Sequence, residues 1–320
     1  MTKTTDKQAA DLGELSLDVL LDSWLTALQA RGRSPRTIRC YRESAQHLID
    51  YLRSAGMPTV AARVGREHIE AFLADQQTKV KPASVSVRYR ALQQYFRWLT
   101  AEREIPSNPM ASMQPPHVPE QPVPVIETQT ILRLLATCEG LKFVNRRDRA
   151  IIIFLLDTGV RRSELAGMQV GDISAEHMTA LVTGKGNRQR LVKFSPTALE
   201  AIDRYLRSRR QHSKAKSGAL WLGPRGPLTD SGVAQILERR CAEAGIPRLH
   251  AHQFRHTFAH QWMASGGAEG DLMQLGGWKS RQMLDRYGKS AAAERARAAH
   301  RNHSPVERLM GQGWDDQRST

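Results

Sequence analysis

Cysteine is scarce in this chain of 320 residues: there are three, Cys40, Cys138 and Cys241, far apart and with no CxxC spacing. That leaves no disulfide framework and reads as buried or idle thiols in a reducing compartment. Long apolar runs are missing too, so no transmembrane helix is expected. The opening MTKTTDKQAADLGELSLD is polar and lacks the apolar stretch of a secretory signal. No internal repeat is found, and no low-complexity tract outside one Pro-rich run. Acidic residues are outnumbered, 32 Asp and Glu against 47 Lys and Arg, for a formal net charge of +15. An excess of that sign points to a polyanion, and nucleic acid is the commonest one. Much of the charge is arginine, whose planar fork suits phosphate. These traits predict a cytoplasmic, nucleic-acid-handling protein.

The apolar spacing divides the chain. Residues 1–13 are expected to form a flexible tail. Ser16 then caps a helix carrying Leu17, Leu20, Leu21, Trp24, Leu25 and Leu28 at helical spacing. Ser34-Pro35 opens a second helix. Further helices fit 66–77 and 83–102, making 14–104 an all-helical domain. Arg36, Arg39, Arg42, Lys81 and Arg88 lie on its exposed faces, near helix starts that also attract anions. Residues 105–124 hold seven prolines and read as an extended linker. A second domain over 125–310 is predicted to be mostly helical with a small antiparallel β-sheet. Its hairpin spans 179–194, turning at Gly184-Lys185-Gly186-Asn187 with Arg188 beyond. Short helices fit 271–275 and 280–287, a final helix at about 291–309 is suited to dock on a neighbouring subunit, and 311–320 is expected to be a C-terminal tail.

Four local signals carry chemistry. In TGVRRSEL, a buried helix ends at Gly159, and Glu164 follows Arg161 by three residues, on the same helix face. Taken alone, that spacing describes an ordinary surface ion pair. The hairpin tip holds Lys185 between glycines that allow close backbone approach. HQFRH places His252 and Arg255 on one face near a helix start. His256 and His260 are four apart, but Thr257 stands where a zinc-protease helix needs glutamate, so no metal site is expected. Last comes LGGWKS, with Trp278 nine residues before Tyr287.

Taken in order, Arg161, Lys185, the His252/Arg255 pair, Trp278 and Tyr287 resemble the signature of the tyrosine recombinases, the phage integrase family. The resemblance extends to the two-domain layout and to Ser107-Asn108-Pro109 in the linker. It implies a SAM-like core-DNA-binding domain followed by a tyrosine-recombinase catalytic domain. It also implies double-stranded DNA as partner, a homotetramer on paired DNA sites or a monomer free in solution, no cofactor and no membrane. Arg161 and Arg255 would bind the scissile phosphate. Lys185 would be the general acid, His252 the general base, Glu164 a supporting carboxylate and Tyr287 the nucleophile. Trp278 holds a position occupied by His in many members. Phe254 replaces the usual Leu, and LGGWKS the common LGHSS. Strand exchange would run through a 3′-phosphotyrosine and a Holliday junction without metal or ATP. A type IB topoisomerase uses a similar residue set, but the short helical N-terminal domain favours a recombinase. Filled catalytic positions argue against a DNA-binding regulator with a dead site. With about 13 residues before the first helix, no separate arm-binding domain is expected.

Overall fold

The computed structural model describes residues 15–119, 124–184 and 186–278, with 280, 281, 284, 300, 304 and 306 beyond them. The chain divides into two compact units, residues 1–121 and 122–320. Among the described residues, no helix is long and apolar enough to cross a membrane.

The first unit holds α1 (Leu17–Ala30), α2 (Pro35–Ser54), α3 (Arg66–Lys79) and α4 (Pro82–Ala101). Ser34 caps α2 by accepting the Thr37 N–H, and Pro35 opens it with the backbone angle a first turn needs. The leucine stripe of α1 is buried along its whole length. Trp24 stacks between Tyr41 and Tyr95, with centroids 5.3 and 4.7 Å away. The Tyr95 hydroxyl donates to the Leu17 carbonyl at 2.6 Å, so this fully buried polar atom is satisfied. One expectation changes here. The run beginning at residue 105 does not behave as a linker throughout. Ile105, Met110 and Met113 are buried in the first core, and Tyr89 donates its hydroxyl to the Met113 carbonyl. Burying three apolar side chains outweighs the extended preference of the prolines around them.

The second unit is mostly helical with two small antiparallel sheets. Its helices are α5 (Thr128–Ala136), α6 (Phe143–Thr158), α7 (Arg162–Gly167), α8 (Pro196–Arg209), α9 (Asp230–Glu243), α10 (Ala251–Ala264) and α11 (Glu269–Gly276). The strands are β1 (Ile173–Ser174), β2 (Thr179–Gly184), β3 (Arg188–Lys193), β4 (Leu222–Gly223) and β5 (Gly226–Pro227), paired as β1-β2-β3 and β4-β5. Helix α6 runs through the core, burying Ile151, Ile152, Phe154 and Leu155. Asp148, fully buried on α6, pairs with Arg147 and with Arg239 and Arg240 of α9, tying the two helices together. The guanidinium of Arg209 closes the connection after α8. It donates to the carbonyls of Ala215, Ser217, Ala219 and Leu220.

Gly159 ends α6 in the left-handed region, at φ 58°. A Cβ there would lie 2.5 Å from Phe258 Cδ1 of α10. Gly159→Ala therefore meets both a backbone strain and a clash. A loss of more than about 1–2 kcal/mol is expected from the backbone term alone, read as a lower denaturant midpoint. An unchanged midpoint would show that Phe258 moves aside and the turn tolerates a side chain.

Candidate active site

The Gly159 turn buries Val160 and turns Arg161 outward at the start of α7. Arg161 donates its backbone N–H to Glu164 Oε2 and its Nη1 to Glu164 Oε1, both at 2.8 Å. This is not the surface ion pair that the spacing alone describes. Glu164 is 2% exposed, and it accepts a second guanidinium from Arg190 of β3. Arg190 Nη1 and Nη2 reach Glu164 Oε1 and Oε2, again at 2.8 Å. Burial by itself would raise the carboxyl pKa. The Arg190 fork, the Arg161 N–H and the guanidinium charges override it and hold Glu164 at about 2.

Arg255 rises from α10 and is 2% exposed. Its Nη1 donates to the Gly159 carbonyl at 2.7 Å and its Nη2 to the Gly276 carbonyl at 2.5 Å. The Trp278 ring lies against this guanidinium, 4.0 Å from centroid to Cζ. Trp278 is itself buried among Ala259, Met263, Leu272 and Leu284. An indole cannot relay a proton, but its face can hold a cation at a fixed tilt, worth roughly 0.5–2 kcal/mol.

His252 sits one turn before Arg255. Its outer edge stays exposed while its ring packs edge-on to His256, 4.0 Å between centroids. Lost hydration, then the charges of Arg255 and Arg161, push its pKa below the ordinary 6.5. His256 and His260 are buried on the same helix. Among the described residues, no group of three or more His, Cys, Asp or Glu could hold a metal ion.

Lys185 and Tyr287 lie outside the described residues, as do most of the two expected helices 280–287 and 291–309. Their neighbours are placed. Gly184, next to Lys185, is so near Glu164 that a Cβ on it would sit 3.1 Å from Oε1. Leu284 packs in the Trp278 cluster. The structure thus draws Arg161, Glu164, His252, Arg255 and Trp278 around one turn. Arg190 is the member that the motif reading passed over. Its signal was available: on β3 it shares a face with Val192, which is buried, and an arginine there needs partners.

Five of the other charged candidates belong to the first unit and one to the second. Arg36, Arg39, Arg42 and Lys81 are exposed in the first unit, Arg88 is half-buried and Arg188 is exposed on β3. Arg42 spans 3.5 Å to Asp22. Arg88 lies near enough to His47 to help lower its pKa, after the effect of burial.

Residues 124–294 match the phage integrase family, and residues 20–106 match the SAM-like N-terminal domain of phage integrases. The chain belongs to the phage integrase family. It is a tyrosine recombinase, an enzyme of the site-specific class. The tyrosine recombinase XerD of Corynebacterium glutamicum is 31% identical over 270 residues, covering 80% of this chain and 88% of that protein. Two solved structures share the integrase fold at lower identity. The Tn1549 transposon integrase, in complex with transposon right-end DNA, has a TM-score of 0.70 at 18% identity, over 91% of this chain and all of that one. A lambda integrase tetramer bound to a Holliday junction has a TM-score of 0.67 at 19% identity, over 88% of this chain and 82% of that one.

Proposed function

We propose that this integrase-family enzyme cleaves and rejoins double-stranded DNA at specific sites through a 3′-phosphotyrosine at Tyr287, with no metal and no ATP. Four copies on two sites would exchange strands through a Holliday junction, in the cytoplasm. Arg161, Arg255, Lys185, His252 and Tyr287 carry the chemistry. Arg36, Arg39, Arg42, Lys81, Arg88 and Arg188 contact the DNA backbone. One observation supports the reading most: a path of hydrogen bonds completed by the backbone at 275–276 and 159–161. It runs from Arg161 through Glu164 and Arg190 to Leu275, then from Gly276 through Arg255 back to Gly159.

A phosphodiester is anionic, and its transition state gathers more charge on the non-bridging oxygens. Two arginines fixed beforehand stabilise that charge more than they stabilise the ground state. Glu164, ionised down to about pH 2, holds Arg161 throughout the working range. Trp278 and two carbonyls do the same for Arg255. The Tyr287 hydroxyl attacks phosphorus and passes its proton to neutral His252. The bond to the 5′ oxygen breaks as Lys185 supplies that oxygen with a proton. One phosphodiester is exchanged for another, so rejoining by an incoming 5′ hydroxyl needs no external energy.

A general base must be neutral, and the depressed pKa of His252 keeps it so at neutral pH. The acid limb of the cleavage rate should therefore lie below pH 6.5. His252→Gln should slow cleavage by about a hundredfold or more and remove that limb. A wild-type rate that already falls from pH 8 or so towards pH 6.5 would exclude His252 as the base.

The proposal is tested by incubating the chain with a pool of randomised duplexes in excess chelator, denaturing it, and sequencing the DNA that stays attached. Adducts sharing one sequence are expected. Absence of adducts overturns the proposal, and adducts without sequence preference would make the enzyme a topoisomerase.

A further inference from the structure

Arg190 does more than neutralise a carboxylate. Glu164 already has Arg161, through one backbone and one side-chain donor. A second guanidinium beside it, only 15% exposed, adds an expensive positive charge. What Arg190 brings is reach. While Nη1 and Nη2 hold Glu164, its Nε donates to the Leu275 carbonyl at 2.9 Å, near the end of α11. The chain then turns at Gly277, which has φ 64°. A Cβ at Gly277 would stand 3.1 Å from Arg190 Cδ and 3.2 Å from its Nε, so the turn lies flat against the arginine stem. The next residue is Trp278, stacked on Arg255.

We infer that Arg190 is a positioning residue that joins the two halves of the active site. Through Glu164 it sets Arg161. Through the Leu275 carbonyl it sets the segment that carries Trp278 and runs on to Tyr287. The inference rests on the roles of Arg161 and Tyr287 proposed above. A point charge could not do this work, because three donors in a fixed plane meet two partners from different elements. Losing the joint would leave phosphate-binding groups and nucleophile each intact but out of register, and a misplacement near 1 Å costs about a hundredfold in rate.

The test uses the full chain and a nicked duplex carrying the sequence recovered from the adduct pool. Kd comes from a mobility shift, and the cleavage rate from single-turnover adduct formation. Arg190→Gln should bind DNA as the wild type does and cleave about a hundredfold more slowly. Arg190→Lys keeps the charge without the fork and should stay close to the Gln variant. Gly277→Ala keeps Arg190 but displaces its stem, and should likewise bind tightly and cleave slowly. The acid limb of cleavage belongs to His252 and should stay below pH 6.5 in Arg190→Gln; a limb that moves with the loss of rate would mean that the variant disturbs the base and not the joint.

The inference is overturned if Arg190→Gln cleaves at the wild-type rate, if its Kd weakens in step with its rate, or if Arg190→Lys restores full cleavage. Should Arg190→Gln melt below the assay temperature, Arg190→Lys and Gly277→Ala decide by the same criteria. A wild-type chain that forms no adduct overturns the proposed function and this inference together. A fast Arg190→Gln variant of a chain that does form one overturns the inference alone.

Discussion

A Tyr287→Phe chain is expected to bind its DNA site and to form no covalent adduct. The substitution removes one oxygen and keeps the ring, so packing and affinity should survive. The loss in cleavage rate should be on the order of a millionfold, the size that follows removal of an enzymic nucleophile. The other five tyrosines are poorly placed to substitute. Tyr89, Tyr95 and Tyr205 are almost fully buried, and each donates its hydroxyl to a backbone carbonyl. Burial also raises the pKa of Tyr95 and Tyr205, away from the phenolate that attack requires. Tyr41 and Tyr51 pack on Trp24 and Phe72 in the first unit. A denaturing gel with a nicked duplex traps the adduct and reads the result. A band that persists in the Phe variant means that another residue attacks.

Glu164→Gln keeps size and shape and should still cost the fold heavily. The wild-type carboxyl falls from 4.5 to about 2 on folding. At 1.36 kcal/mol per unit, that shift corresponds to about 3 kcal/mol of stability. The sign follows from a depressed folded-state pKa. The contribution is complete above 4.5 and is lost as pH falls towards 2. The Gln variant never has it, and leaves Arg190 with a neutral partner in a place that is hard to hydrate. Its melting temperature near neutral pH should be lower by about 6–12 °C. Cleavage should fall as well, since Arg161 loses its anchor. The gap in melting temperature between the two chains should shrink as pH falls to about 3 and below. A gap that stays constant over that range would mean that Glu164 is not held in its ionised form by folding.

The parts of this protein that were legible in the sequence are those written locally. Cap residues such as Ser34 with Pro35 mark a helix start within two positions, and the leucine stripe of α1 repeats every turn. The same holds at the site. Arg161 with Glu164, and His252 with Arg255, are three apart and share helix faces. What failed was whatever depends on distant partners. Helix α6 begins at Phe143, and the charged Arg147 and Asp148 in its second turn give no local sign that they are buried. They are buried only because they satisfy each other and Arg240 of α9. Strands β1, β4 and β5 are two residues each, too short for alternation to register. Glu164 reads as a surface partner until Arg190, 26 residues away on a strand, closes over it. The carbonyls of Gly159, Leu275 and Gly276 carry no side-chain signature at all, yet they fix both Arg255 and Arg190.

The Arg209 clasp bears on how the enzyme could be re-engineered. The connection from 210 to 219 is polar and rich in Ser, Lys and His, and by composition it is the place to graft a tag or splice in a reporter domain. The clasp makes it a poor choice. Displacing the loop would strip up to three of four acceptors from one buried guanidinium, leaving its charge poorly compensated. Fusions belong at positions where the backbone carries no such obligation, however ordinary this loop looks on paper.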